Sequence, residues 1–315
     1  MKIVVTGGLG HIGSRVIRQL PAAFPGAEFV VVDNMVTQRF PSLFNLPDGV
    51  SFRFLDSDVM TMDLDPLIRG AGAVIHLAAL TDATASFNNR EAVERVNFGA
   101  TERVAKVCAT VGAPLIHASS TSVYGTQNDQ VDENCDKSEL KPQSPYAETK
   151  LREEALVAEL ARDQGLRAVI CRFGTIFGTS PGMRFHTAVN KFCWQSVMGQ
   201  PVTVWKTAYD QKRPYLDLTD AVEAMGFFIR RDLFDGRVYN VVTSNHTVRD
   251  VVDAIRERVP DLQVTFVEER IMNQLSYDVA NTRLNEAGFG FRGSLRQGIA
   301  DTIALLKNMN HGTAR

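Results

Sequence analysis

The opening run Met1-Lys-Ile-Val-Val-Thr-Gly-Gly-Leu-Gly-His-Ile-Gly13 constrains the fold more than any other segment. Ile3, Val4 and Val5 form a β-branched apolar run, as expected of a strand buried on both faces of a parallel sheet. The run leads straight into Gly7, Gly8, Gly10 and Gly13, and then into Ser14–Leu20, whose apolar spacing is helical. Gly8, Gly10 and Gly13 fit G-x-G-x-x-G, while Gly7, Gly10 and Gly13 fit G-x-x-G-x-x-G. Glycine there permits a tight turn, close approach of a pyrophosphate to the backbone, and close packing of helix on strand. The free amides of the helix N-terminus would face the phosphates, so Gly7, Gly10, His11, Ile12 and Gly13 are candidate dinucleotide contacts. A second strand, Glu28–Asp33, ends in an acid about 20 residues past the last glycine, where a ribose diol is held. Asp33 repels a 2′-phosphate and Asn34, not arginine, follows it. The expected cofactor is NAD rather than NADP.

Strand-like runs recur at 50–55, 73–78, 114–118 and 167–172, with long amphipathic stretches near 88–111 and 145–165. Such alternation predicts an α/β fold with a doubly wound parallel sheet. Beyond residue 174 the rhythm gives way to Gly/Pro-containing loops and shorter elements. We therefore expect a Rossmann domain over 1–174 and, mainly over 175–315, a smaller C-terminal substrate-binding lobe, with the chain free to cross back. At 315 residues there is ample material for both. A net charge of −2 gives no basic face for nucleic acid or an anionic membrane. No apolar run is long enough to span a bilayer, and residue 3 already reads as sheet, so a cytoplasmic protein is expected. The four cysteines, Cys108, Cys135, Cys171 and Cys193, lack metal spacing and read as core thiols; no metal site is expected.

The chemistry is expected in Ser144-Pro-Tyr-Ala-Glu-Thr-Lys150. Tyr146 and Lys150, four apart, share one helix face, with Ser144 as N-cap and Pro145 as first helical residue. A neighbouring ammonium should lower the phenol from about 10 toward neutrality, suiting it to take a proton from a substrate hydroxyl. Read alone, the same pair is also an ordinary helix start with a half-buried aromatic.

Together these motifs, with Asp58-Val59, His76-Leu-Ala-Ala79, Val96-Asn97, Ser119–Gly125 and Arg213–Asp220, resemble the extended short-chain dehydrogenase/reductase family, in its nucleotide-sugar epimerase/dehydratase group. The resemblance covers nearly the whole chain. It implies that Asp58 and Val59 cradle adenine, that Leu77, Ala78 and Ala79 line the cofactor crevice, and that Lys150 also binds the nicotinamide ribose. It makes Asn97 a support for the helix carrying Tyr146 and Lys150, and Ser120 the catalytic hydroxyl, with Thr121 able to substitute. Substrate contacts carried over are Thr121, Thr175, Asn190, Arg213 and Arg270, with Arg213 against a diphosphate. Each has an ordinary alternative: Asp58 as a turn cap, Asn97 as a polar residue at a helix kink, Arg213 as a surface cation. His76, in an apolar strand, reads as a satisfied core histidine without a role.

The sugar 4,6-dehydratases of that group carry an Asp-Glu pair after the catalytic threonine. Here Thr121 and Ser122 stand there, and neither titrates near neutrality. Thr175 replaces the asparagine of an Arg-x-x-Asn motif, which leaves the sugar open. The sequence thus favours an NAD-dependent nucleotide-diphosphate-sugar epimerase, acting at C4. A net oxidoreductase on a keto-sugar, small alcohol or amino acid, and a non-catalytic redox sensor, are the alternatives. The resemblance also implies a homodimer through a four-helix bundle, to which Ala100, Ala105, Ala158 and Ala161 would present a second, partly apolar face.

Overall fold

The computed structural model describes residues 1–127, 130–268 and 277–306. Seven parallel strands form the main sheet, in the spatial order Val238–Val241, Ala168–Phe173, Leu115–Ser120, Ala73–His76, Lys2–Thr6, Glu28–Asp33 and Ser51–Asp56. From Lys2–Thr6 the chain winds outward one way through 28–33 and 51–56, and then the other way from 73–76. This reversal opens a crevice beyond the carboxyl ends of 2–6 and 73–76, where ligands of doubly wound sheets bind.

Alternate side chains of each strand feed two cores. Ile3, Val5, Phe29, Val31, Ile75 and Ile116 face helices His11–Gln19 and Leu218–Arg231. Val4, Val30, Val74, Leu115, Ala168 and Ile170 face helices Gly99–Val111 and Pro145–Gln164. The β-branched run that opens the chain is thus fully buried on both sides, as its composition predicts.

A smaller lobe packs helices Ala188–Val197, Val248–Arg256 and Leu295–Leu306 around Phe177, Val202, Val204 and Tyr215. Its three-stranded sheet sets Lys212–Asp217 between Ser244–Thr247, antiparallel, and Thr175–Phe177, parallel. The chain crosses back after this lobe begins: Leu218–Arg231 covers the large sheet and Val238–Val241 becomes its edge strand.

Two local expectations are corrected. The helix expected across 88–111 widens into a π turn at Glu94–Phe98, between Arg90–Val93 and Gly99–Val111. Of the four alanines expected on a second, partly apolar face, two are not free and two are half-buried. Ala100 and Ala105 are core residues at 1% and 0% exposure. Ala158 and Ala161 also lean on the core, and a Cβ on Gly236 would meet that of Ala161 at 2.8 Å. All four cysteines are free thiols, buried except for the half-buried Cys135. No helix among the described residues is long and apolar enough to cross a membrane.

Candidate active site

At the crevice, the glycine loop is shaped by contacts that exclude side chains. Gly7 is left-handed (φ +65°), and a Cβ there would lie 2.6 Å from the Ala78 nitrogen. A Cβ on Gly13 would come within 2.5 Å of the Gly7 oxygen, and one on Gly8 within 2.4 Å of Val31 Cγ1. The turn closes through Gly10 N–H donating to the Gly7 carbonyl, 3.1 Å, and the helix at His11 follows without a side-chain cap. Its first amides therefore remain available to an anion. Asp33 accepts from Leu9 N–H (3.0 Å) and Met35 N–H (3.1 Å), which fixes its carboxylate beside the loop. Asn34 donates to Asp58 at 3.1 Å, and Asp58 also caps Met60 N–H at 2.8 Å, with Val59 buried beside it. These side chains meet at the carboxyl ends of neighbouring strands. A cradle that glycine alone can line, an uncapped helix start and a carboxylate at the second strand fit a dinucleotide.

Leu77, Ala78 and Ala79 follow the strand Ala73–His76 and form the opposite wall, Leu77 donating to the Thr6 carbonyl at 3.0 Å. Asn97, on the π turn, accepts from Leu80 N–H at 2.7 Å and donates to the Leu80 carbonyl at 2.9 Å. It pins the wall's end, so its amide supports the crevice loop rather than the helix carrying Tyr146.

Ser144 caps Pro145–Gln164 by accepting from Ala147 N–H at 3.2 Å, and Pro145 takes the first helical position. This rigid start presents Tyr146 to Ser120, whose hydroxyl is near enough to act on the phenol. Ser120 also accepts from the Ser122 hydroxyl at 2.9 Å. Lys150 Nζ lies 5.9 Å from the Tyr146 ring centre and donates to the Ala118 carbonyl (2.9 Å) and to Glu153 (2.8 Å). An ammonium has three donors, and one remains for a ligand. The phenol differs from expectation. Burial pushes Tyr146 above its ordinary value; Lys150 pulls the other way, Glu153 pushes up again, and the desolvation of the phenolate wins. Burial pulls Lys150 down, but Glu153, with Tyr146 and Glu154 behind it, outweighs burial and leaves it raised.

Behind Ser120, Arg172 holds Glu154 through two bonds of 2.9 and 2.7 Å, both residues about 4% exposed, and Ser119 donates to the same carboxylate at 2.5 Å. The guanidinium rests 4.8 Å over the Tyr124 ring. This buried fork fixes the end of the serine-bearing strand against the helix that carries Tyr146 and Lys150.

Just past the strand Leu115–Ser120, Thr121 donates to the Phe173 carbonyl (3.3 Å) and meets the Tyr277 hydroxyl (3.4 Å). Burial raises the Tyr277 phenol while nearby Arg213 pulls the other way, and Arg213 Nε is buried without a partner, as suits an anion-binding side chain. Thr175 is half-buried opposite Tyr215. Asn190, expected to touch substrate, is instead fully buried. It donates to the Arg184 carbonyl at 3.1 Å and accepts from Gly178 N–H at 3.4 Å, bracing the 178–184 loop from inside. Arg270 lies outside the described residues.

Sequence reasoning missed what that loop does. Ser180 donates to the His11 carbonyl at 2.9 Å and meets His11 Nδ1 at 2.8 Å, while Gly182 N–H donates to Ser14 Oγ at 3.0 Å. A strap from residues 180–182 is thus clasped onto the glycine loop. Arg184, just beyond, bonds Thr81 and lies close enough to act on Tyr146. Also missed were Tyr277 and the buried polar side chains under Lys150. No spacing signal marks a contact made across lobes.

Residues 3–241 match the model of the NAD dependent epimerase/dehydratase family. A trifunctional UDP-glucose 4,6-dehydratase/UDP-4-keto-6-deoxy-D-glucose 3,5-epimerase/UDP-4-keto-L-rhamnose-reductase of Arabidopsis thaliana is 28% identical over 96% of the chain, which spans 46% of that protein. The chain thus spans about half the length of the first curated relatives it matches. An uncharacterized UDP-glucose epimerase of Bacillus subtilis is 26% identical, with 99% of this chain and 100% of that one covered. Among solved structures, the UDP-glucose 4-epimerase of Thermus thermophilus in complex with NAD superposes with a TM-score of 0.81 at 25% identity, over 98% of this chain and 99% of the other.

Proposed function

We infer the activity from one premise: this chain belongs to the NAD dependent epimerase/dehydratase family. Its cofactor is NAD, for which the glycine cradle and Asp33 are the fitting residues. The reaction we propose is epimerisation of a nucleotide-diphosphate sugar at C4. The carrying observation is that Ser120, Tyr146 and Lys150 converge while hydroxyls, not carboxylates, occupy the next two positions, Thr121 and Ser122. Elimination of water needs a further acid and base at the sugar; transient oxidation needs only the first three.

In this reading Ser120 binds the reacting hydroxyl and Tyr146 takes its proton, with Lys150 stabilising the phenolate. The chemistry that bound NAD would supply is reversible acceptance of the C4 hydride. Once the keto-sugar has turned so that the other face of C4 meets the returning hydride, Tyr146 gives its proton back to the C4 oxygen, so the same phenol must act as base and acid. Its raised proton affinity suits the second task. Arg213 and Arg184 are the cations we assign to the diphosphate, and Thr121 and Thr175 the hydroxyls we assign to the sugar.

The test is turnover of UDP-sugars by the purified protein without added NAD, followed by chromatographic separation of C4 epimers. Steady NADH formation would select a net oxidoreductase, and a 4-keto-6-deoxy product a dehydratase. Tyr146→Phe should lower the rate about 10²–10⁴-fold with the fold intact; full retained activity would refute the assignment.

We also propose a homodimer through helices 99–111 and 145–164. Arg152 caps Phe98 at 4.7 Å on their outer side, and Ala155 is exposed there. Sedimentation equilibrium decides it: a persistent 34.8 kDa species removes the proposal, and Ala155→Arg should weaken a true dimer.

A further inference from the structure

Beneath the Tyr146–Lys150 pair lies a cluster of ionisable side chains that the proposed mechanism leaves unused. Glu153, one helical turn beyond Lys150, is completely buried. Its Oε2 accepts from Lys150 Nζ at 2.8 Å and from Thr101 Oγ1 at 3.2 Å, and His117 Nε2 lies 3.3 Å away. His117, also fully buried, comes from the strand that ends at Ser120. Its ring stacks on that of His76 at 6.3 Å and 27°, and His76 Nδ1 meets Thr6 Oγ1 at 2.7 Å. Around Lys150, therefore, the catalytic helix supplies Tyr146, Glu153 and, farther off, Glu154. The strands supply the Ala118 carbonyl, His117 and His76, the helix 99–111 supplies Thr101, and Arg184 faces the phenol.

This cluster is a poor way to stabilise a fold. Glu153 Oε1, both nitrogens of His117 and His76 Nε2 are buried without a hydrogen-bond partner. Each such group costs about 1–3 kcal/mol, and apolar side chains of like shape avoid the penalty. The cluster needs another reason to exist. A lysine so buried tends to lose its proton unless a counter-charge is present. Glu153 is that counter-charge, and it also places a negative group near a phenol that must become negative.

We propose that Glu153, with His117 packed beside it, is a positioning residue for catalysis: the buried counter-charge that keeps Lys150 ionised and sets how readily Tyr146 gives up its proton. The inference rests on the reading of Tyr146 as the acid–base group. With Glu153 in place, the pair holds its proton until a substrate hydroxyl competes for the phenol. Without it, the first proton leaves the pair at lower pH, because the phenolate itself then becomes the counter-charge that the buried Lys150 ammonium needs.

The experiment needs no sugar. In NAD-loaded protein, the near-ultraviolet absorbance of phenolate is titrated with pH, and Tyr146 is isolated as the difference from Tyr146→Phe. Glu153→Gln, which keeps shape and hydrogen-bonding capacity, should move the Tyr146 midpoint down by about 1 unit or more, the scale expected for a charge within a few ångströms. His117→Phe should move it the same way by less, and carries the test alone if the glutamine variant does not fold. An unchanged or raised midpoint in the variant that folds overturns the proposal. Since no turnover is read, a protein that epimerises nothing can still pass. An active epimerase with an insensitive midpoint sinks this inference alone.

Discussion

Gly182→Ala should loosen the grip on NAD, although residue 182 lies far in sequence from the dinucleotide loop. Gly182 does not have the left-handed backbone that would itself bar alanine, so the effect is steric. An alanine Cβ would stand 2.4 Å from the Gly10 oxygen and 2.4 Å from the Leu9 oxygen, both backbone atoms of the loop. That is about 1 Å inside contact distance, and neither carbonyl can rotate away as a side chain would. The strap must lift, stretching the Gly182 bond to Ser14 and the Ser180 bonds to His11. Overpacking of this kind costs roughly 1–3 kcal/mol. If the strap holds the loop in its binding geometry, the cost becomes about a 5- to 150-fold rise in Kd. Isothermal titration of NAD into cofactor-stripped protein measures it. Ser180→Ala, which removes hydrogen bonds without adding volume, should weaken binding by a smaller factor in the same direction. Wild-type Kd in Gly182→Ala, with an unchanged unfolding midpoint, would refute the clasp.

Arg172→Met should destabilise by about 3–5 kcal/mol in denaturant titration, because it strands the Glu154 charge; a loss under about 1 kcal/mol would show the fork to be dispensable. Burial, with nearby cations second, holds His11 and His76 down to about 3 and His117 well below the imidazole range. Unfolded histidines take protons near 6.5, so stability is complete above that pH and is lost as pH falls toward 3, by up to about 1.4 kcal/mol per unit for each histidine. Unfolding midpoints at pH 7 and pH 5 should differ accordingly, and less in His117→Phe; a protein equally stable at both would contradict the burial. Asp33→Gly with Asn34→Arg should shift preference toward NADP, since the acceptor for a ribose hydroxyl is removed and a phosphate partner supplied. Loss of the carboxylate acceptor should lower NAD affinity by roughly the 1.5–3 kcal/mol of a hydrogen bond to a charged group, while Leu9 N–H also loses its partner. An unchanged affinity ratio would place Asp33 away from the ribose.

What the sequence made legible here is what local periodicity and short spacing encode. A β-branched run before glycines reads as strand, loop and helix because each feature is set by neighbours a few positions away. Tyr146 and Lys150 read as a pair because helical geometry alone stacks residues four apart. Glu153 shows where that logic stops. By composition it belongs to the charged stretch Arg152-Glu-Glu154 of an amphipathic helix, which ordinarily faces water. The helix instead crosses the sheet directly over His117, a partner 36 positions earlier, and so turns Glu153 and Glu154 inward toward two different cations, Lys150 and Arg172. His76 likewise reads as a core histidine, and it is one; its stacking on His117 depends on the register of two parallel strands that no local pattern announces. The alanines fail for the same reason in reverse. Ala100 and Ala105 suit a free helical face by size, yet they lie on the side that the sheet claims. Short side chains carry no signature of direction, and burying a charge requires knowing its partner. The Tyr146–Lys150 pair is therefore written in the helix that bears it, while the groups proposed to tune it are written only in how that helix lies across the sheet.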